Sequence, residues 1–138
     1  MRVLLDTCVL SEVQRPQGNA RVRQAVEALE PDQLFLSVIT IGEISNGIAL
    51  LPDGRRRREL AAWLSRLERD AAEQILGIDA ETAHIWGEIT ARAQAAGVII
   101  PASDGLIAAT ALRHGLHLMT RNTRHLAASG ALIIDPWA

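Results

Sequence analysis

The sequence predicts an α/β fold in which a central, mostly parallel sheet lies between two layers of helices, a three-layer α/β/α arrangement. Two observations predict it: short apolar runs recur along the chain, and longer stretches with helical periodicity separate them. Short apolar strands joined by helical crossovers are typical of parallel sheets that are covered on both faces. The chain has 138 residues and no internal repeat, which predicts one domain over residues 1–138.

Five apolar runs are short enough to form buried strands, because polar or turn-forming residues bound each of them. The predicted strands are residues 3–5, 34–38, 75–78, 116–119 and 132–134. Apolar residues three or four positions apart predict the helices between them. The predicted helices are a short one that begins at Val9, followed by residues 20–29, 41–51, 57–67, 80–96 and 103–114.

Composition and charge limit the classes of function. Apolar residues make up 49% of the chain and aromatic residues only 3%, so the core must be aliphatic. The formal net charge of -2 excludes a protein that binds nucleic acid through its overall charge. Any contact with nucleic acid therefore needs local basic patches.

The cysteine content and the first residues bear on the cellular location. Cys8 is the only cysteine, which fits a reducing compartment. The apolar run before Asp6 is too short for a signal peptide, and no run approaches the roughly 20 apolar residues of a membrane span. We therefore expect a cytoplasmic protein that does not enter a membrane.

Three acids stand just after predicted strands or at the start of a predicted helix. Asp6 directly follows the first strand, Glu43 comes about one turn after the second, and Asp104 opens the helix of residues 103–114. Ligands of parallel sheets bind beyond the carboxyl ends of the strands. We therefore expect the three carboxylates to converge on one site there.

Each acid also has a purely structural interpretation, which the sequence leaves open. Asp6 suits the N-cap of the helix that follows it. Glu43 stands three residues after Thr40, which is the spacing of a capping box. Asp104 in a first turn complements the helix dipole.

Taken together, the three acids favour a metal site. Glu43 and Asp104 have apolar neighbours and no nearby Lys or Arg, so we expect both near a buried face, where an unpaired charge is costly. Like charges about 5 Å apart repel by roughly 3 kcal/mol at an effective dielectric of about 20, so clustered carboxylates need a cation or raised pKa values. Oxygen ligands select Mg²⁺ or Mn²⁺, and an ion held in this way serves phosphodiester hydrolysis.

Four segments, in one order over almost the whole chain, carry a family resemblance. They are residues 4–12, 37–44, 103–111 and 118–124, which read LLDTCVLSE, SVITIGEI, SDGLIAATA and LMTRNTR. These segments resemble the four signature blocks of PIN-domain proteins. The resemblance is greatest to the VapC-type toxins and to the FitB-like branch within them.

The resemblance implies a PIN-like α/β/α fold and Mg²⁺- or Mn²⁺-dependent cleavage of RNA, with Asp6, Glu43 and Asp104 as the catalytic, metal-binding acids. It also implies a homodimer inhibited by a cognate antitoxin, with DNA bound only indirectly through that antitoxin. After the fourth block the family usually has a further acid, where this chain has His125. The alternative is a weakly active or inactive PIN domain that serves as a binding module in an antitoxin–DNA complex.

Further polar residues flank the expected site. Thr7, Thr120 and Asn122 carry hydroxyl or amide groups that suit the orientation of a metal-bound water or a phosphate, although capping is the favoured interpretation for Asn122. Arg121 and Arg124 suit contacts with substrate phosphates, or else are exposed loop charges.

Overall fold

The computed structural model describes residues 1–138, which form a five-stranded parallel sheet and seven helices. The strands are β1 (Val3–Leu5), β2 (Leu34–Ser37), β3 (Ile75–Leu76), β4 (His117–Met119) and β5 (Ile133–Ile134). The helices are α1 (Thr7–Gln14), α2 (Ala20–Glu27), α3 (Val38–Ala49), α4 (Arg55–Asp70), α5 (Ala80–Ala95), α6 (Ala102–His114) and α7 (Thr123–Leu126). The predicted alternation of strands and helices is confirmed.

The order of the strands places a crevice at the middle of the sheet. The order is β3-β2-β1-β4-β5, and every neighbouring pair is parallel. The chain leaves β1 towards β2 on one side and later returns to β4 on the other side. The boundary between β1 and β4 is therefore a topological switch point, where ligands of open α/β sheets bind.

The core lies on both faces of the sheet, as a three-layer arrangement requires. Successive residues of a strand point to opposite faces. Leu4 accordingly belongs to one apolar cluster, with residues of α5 and α6, whereas Val3 and Leu5 belong to the other, with residues of α1 and α2. All three residues of β1 are fully buried. None of the helices is long and apolar enough to cross a membrane.

Helices α1, α3, α4 and α6 begin one to three residues before their predicted starts, and the starts of α1 and α3 bear on the site. Helix α3 begins at Val38 rather than at residue 41, because Ser37 ends β2 and its hydroxyl accepts a hydrogen bond from the Ile39 N–H at 3.0 Å. Thr40 is therefore a buried residue inside the helix, and the capping box predicted for it is wrong. Helix α1 begins directly after Asp6, two residues before the predicted start at Val9.

Other bounds differ at the edges of the fold. The edge strands β3 and β5 each have only two residues, and the helix α7 was not predicted. An edge strand pairs on one side only, so its length depends on a single neighbour that the apolar pattern does not reveal. A four-residue helix is too short to show a period of 3.6 residues.

Two glycines set the position of α6, the helix that carries Asp104. A side chain at Gly105 would place its Cβ 3.0 Å from the Trp86 ring, so the absence of a side chain lets α5 and α6 approach closely beside the site. Gly115 ends α6 with a φ of 66°, a left-handed conformation that L side chains rarely adopt. Both positions therefore favour glycine for defined steric reasons.

A matched pair of alanine substitutions tests this account of α6. Gly115→Ala should lower the free energy of unfolding by about 1 to 2 kcal/mol, because alanine is strained at positive φ. Gly87→Ala should raise it by about 0.5 to 1 kcal/mol, because Gly87 lies within α5 with open space around it. Urea unfolding measures both changes, and effects of the same sign would contradict the account.

Candidate active site

Asp6 is buried at the end of β1, with 5% of its surface exposed. One carboxylate oxygen accepts a hydrogen bond from the Thr7 N–H at 2.8 Å, so Asp6 is the N-cap of α1. The other oxygen accepts a hydrogen bond from the Thr120 hydroxyl at 2.7 Å. The capping interpretation of Asp6 is thus confirmed for one oxygen, while the second is bound to the residue that follows β4.

Glu43 joins the site through Thr7. The Thr7 hydroxyl donates to Glu43 Oε1 at 2.7 Å, and its oxygen lies 3.0 Å from the Thr40 hydroxyl. Because Thr40 and Glu43 are three residues apart on α3, they share one face of that helix. Glu43 is exposed rather than near a buried face, which corrects the expectation for this residue.

Asp104 lies half-buried in the first turn of α6, as its dipole-complementing interpretation predicts. Its Oδ2 accepts a hydrogen bond from the Asn122 side-chain amide at 2.9 Å. Asn122 occupies the N-cap position of α7, but its side chain makes no capping hydrogen bond. The capping role favoured for Asn122 is therefore wrong, because its side chain binds Asp104 instead.

The three acids, which we call the acidic centre, interact electrostatically. The pKa of Asp104 is raised, first by burial and then by the negative charges of Asp6 and Glu43, while the hydrogen bond from Asn122 and the charge of His125 oppose the rise. Asp104 thus lies within electrostatic range of both other acids, although the three come from separate parts of the chain. No three His, Cys, Asp or Glu side chains are arranged as a group that could hold a metal ion by themselves.

Arg121 and His125 lie at the rim of the site. His125 occupies the position where the family usually has a further acid. His125 is exposed, and its Nδ1 lies 3.0 Å from the Asn122 side-chain oxygen. Arg121 is exposed, and its guanidinium lies over the Trp137 ring, 5.2 Å from the centroid. The Asn122 N–H also donates to the Thr120 hydroxyl at 3.0 Å, which fixes the loop after β4.

Sequence reasoning missed two residues that contact the site. Thr40 lies against Thr7, and the Cys8 thiol lies 3.6 Å from Asp6 Oδ2 and 3.8 Å from the Thr120 hydroxyl. Burial is the largest cause of a raised pKa of Cys8, so the thiol is neutral at ordinary pH and acts as a weak donor. The position of Cys8 two residues after Asp6 was the only available signal, and it also fits plain packing.

The parallel sheet with its switch point between β1 and β4 agrees with a family comparison. A family model described as the PIN domain matches residues 3–130. The chain belongs to the PIN-domain family. The resemblance of the four segments to PIN-domain signature blocks is therefore confirmed.

Two relatives identify the branch of the PIN-domain family. The toxin FitB of Neisseria gonorrhoeae is 39% identical over 139 residues, which cover 98% of each chain. The VapC ribonuclease of Sinorhizobium fredii is 34% identical over 139 residues, which cover 98% of this chain and 97% of the relative. The predicted likeness to VapC-type toxins and to their FitB-like branch is thus confirmed.

Solved structures match this PIN domain over nearly its full length. A structure of FitAB bound to a DNA fragment has a TM-score of 0.94 and 36% identity, and covers 99% of this chain and 96% of the other. A toxin–antitoxin complex from Klebsiella pneumoniae has a TM-score of 0.71 and 25% identity, and covers 97% of each chain.

The raised pKa of Asp104 predicts how stability depends on pH without metal. The folded chain binds the proton of Asp104 more readily than the unfolded chain, so stability falls as pH rises from the unfolded value near ~3.9 through the raised pKa. Asp104→Asn removes this penalty, so its free energy of unfolding should exceed that of the wild type near neutral pH and converge with it at low pH. Urea unfolding with a chelator between about pH 3.5 and 7 measures the difference.

The matched control for that experiment is Asp53→Asn, because Asp53 is exposed in the loop before α4. It should leave the pH profile of stability unchanged. A profile of Asp104→Asn parallel to that of the wild type would contradict the account of Asp104.

A second pair of variants tests the hydrogen bond that fixes Asp6. Thr120→Val removes the donor to a buried carboxylate and should lower the free energy of unfolding by about 1.5 to 3 kcal/mol. Thr110→Val is the control, since Thr110 is equally buried but donates to the neutral Leu106 carbonyl within α6. Its cost should be about 1 kcal/mol or less, and equal costs would show that the Asp6 contact is not special.

Proposed function

We propose that this PIN domain is a metal-dependent endoribonuclease and the toxin of a type II toxin–antitoxin system. The observation that carries the proposal is the acidic centre: three acids from three elements interact at the carboxyl ends of β1, β2 and β4. The name of the VapC ribonuclease, at 34% identity over 98% of this chain, supports RNA as the substrate.

The donor chemistry of the acidic centre fits Mg²⁺ or Mn²⁺. Asp6, Glu43 and Asp104 offer only carboxylate oxygens, which hard divalent cations prefer. Burial and then the charges of Asp6 and Glu43 raise the pKa of Asp104, and a cation would relieve the repulsion among the three acids. Because the three acids do not form a complete ligand group, one or two of them would hold the ion together with water, as is usual for Mg²⁺. A bound ion of this kind lowers the pKa of water and neutralises charge on a phosphate.

The neighbouring side chains orient the acids. Thr120 and the Thr7 N–H hold both oxygens of Asp6, so this carboxylate keeps one orientation. Thr7 holds one oxygen of Glu43, and Asn122 holds one oxygen of Asp104. The second oxygen of each acid has no partner in the structure. Those two oxygens are the ones available to a ligand or to the proton of an attacking water.

An apolar groove beside Glu43 is the proposed docking site of the antitoxin. Its volume is about 250 Å³, and it lies between α1, α3 and α4. Its apolar residues are Ile44, Ile48 and Leu51 of α3 and the turn after it, together with Leu60 and Trp63 of α4. The groove also contains Thr7 and Glu43, so an occupant would cover one side of the acidic centre. The structure of FitAB with a DNA fragment and the toxin–antitoxin complex from Klebsiella pneumoniae support such an assembly. Within it, we propose a homodimer of the toxin that reaches DNA only through the antitoxin.

A binding module with weak or no nuclease activity is the second candidate function. Two observations favour it: His125 stands where a further acid is usual, and the acidic centre lacks a complete ligand group. His125 also bonds to the neutral Asn122 side chain rather than to an acid.

Cleavage of RNA separates the two functions. With Mn²⁺ or Mg²⁺ the wild type should cut single-stranded and structured RNAs, and a chelator should abolish the activity. Asp6→Asn and Asp104→Asn should slow cleavage by about 100-fold or more, because loss of the ion forfeits several kcal/mol of transition-state stabilisation. Electrophoresis of labelled RNA fragments measures the rates.

The matched control is Asp135→Asn, because Asp135 follows β5 and makes its side-chain contact with the Trp137 N–H rather than with the acidic centre. It should cleave RNA at the wild-type rate.

Binding of the ion should also stabilise the folded protein. Mn²⁺ should raise the melting temperature of the wild type and of Asp135→Asn by mass action, and it should raise that of Asp104→Asn much less. A metal-stabilised protein that cuts no RNA would favour the binding module.

A further inference from the structure

A second cavity, which we call the basic cavity, lies beside the acidic centre and has a volume of about 440 Å³. The turn after α5 forms one wall, with Gly97, Val98 and Ile99. Arg124 and His125 of α7 form the other wall and are the only ionisable residues that line it. The cavity therefore combines two basic side chains with an apolar wall in a chain whose net charge is -2.

One side chain connects the basic cavity to the acidic centre. The Asn122 amide nitrogen donates to Asp104, so its oxygen faces His125. The opposite orientation would place that oxygen against a carboxylate, which is repulsive. His125 Nδ1 must therefore be the donor in its bond to Asn122, and its Nε2 has no partner in the structure. A single side chain, that of Asn122, thus separates the basic cavity from Asp104.

One wall of the basic cavity is fixed by its backbone, whereas Arg124 and the Nε2 atom of His125 have no partner in the structure. Gly97 adopts a φ of 80°, and the Val98 N–H donates to the Ala93 carbonyl at 2.8 Å, which fixes the turn after α5. Ile99 is nevertheless 76% exposed, so its side chain is open to contact with an occupant of the cavity. Arg124 is also exposed and takes part in none of the salt bridges of the structure.

We propose that the basic cavity binds one nucleotide of a single-stranded RNA next to the phosphodiester at the acidic centre. Arg124 contacts a phosphate of that nucleotide, His125 Nε2 accepts a hydrogen bond from its ribose 2′-hydroxyl, and Ile99 packs against its ribose or base. The proposal rests on the proposed function in one respect, that the polymer presented to the acidic centre is RNA.

An RNA strand suits the basic cavity better than an acidic segment of a partner protein. A cation beside an exposed apolar side chain matches a phosphate joined to a sugar and base, which a carboxylate side chain does not offer. The apolar groove between α1, α3 and α4 shares no residue with the basic cavity, so a protein partner has a separate surface. RNA can therefore extend along the side of the acidic centre that this groove does not cover.

The test measures the affinity for a labelled oligouridylate by fluorescence anisotropy, with a chelator present so that no cleavage occurs. Arg124→Ala should weaken binding about tenfold and reduce the slope of log affinity against log salt by about 0.7, the value for one lost contact with a single-strand phosphate. Arg124→Lys should retain most of the slope. Ile99→Asp, which adds a negative charge to the wall, should weaken binding at least as much as Arg124→Ala.

The matched control is Arg69→Ala, which removes an equally exposed arginine from the last turn of α4 and should change affinity and slope little. Equal effects of Arg124→Ala and Arg69→Ala would overturn the proposal. The same variants are also tested with labelled oligoglutamate. If Arg124→Ala weakens binding of oligoglutamate but not of oligouridylate, the basic cavity belongs to an acidic protein segment and the proposal is overturned. If Arg124-dependent RNA binding is found but Mn²⁺ supports no cleavage, the subsite stands and the nuclease function fails.

Discussion

The buried carboxylate of Asp6 is the constraint on which the site depends. A charge at this depth is tolerated only when hydrogen bonds replace the water that it has lost. The two strong donors come from different parts of the chain, the Thr7 N–H of the helix that Asp6 caps and the Thr120 hydroxyl after β4. Satisfying Asp6 therefore requires β1 and β4 to be neighbours in register, as they are through Leu5 and Met119. The chemistry of the site and the topology of the sheet depend on the same contact.

The loop after β4 carries this constraint to the rest of the site. The Thr120 hydroxyl both donates to Asp6 and accepts from the Asn122 N–H, so the position of Asn122 follows from that of Asp6. Asn122 then orients Asp104 with its nitrogen and His125 with its oxygen. A polar amide in this place lets one residue bind a carboxylate and an imidazole at once, which an aspartate could not do. This explains how the site can accept a histidine at position 125 without a direct contact between His125 and Asp104.

The sequence predicted the parts of this arrangement that follow from local pattern. Apolar runs and helical spacing predicted the alternating elements, and the position of Asp6 and Asp104 beside strand or helix ends predicted where these acids lie. The exposure of Glu43 and the contact of Asn122 with Asp104 were not predictable in this way, because both depend on how distant elements pack. Thr40 shows the same limit: its spacing from Glu43 fits a capping box, and only the true start of α3 at Val38 shows that it is internal.

The structural and functional interpretations of the acids do not exclude each other. Asp6 is the N-cap of α1 and Asp104 lies in the first turn of α6, so each carboxylate meets the positive end of a helix dipole. Each such contact is worth about 0.3 to 1 kcal/mol, less than the roughly 3 kcal/mol of repulsion between like charges about 5 Å apart. The helix ends therefore offset part of the repulsion. Burial and then the remaining repulsion raise the pKa of Asp104, and this uncompensated negative charge would favour the binding of a divalent ion.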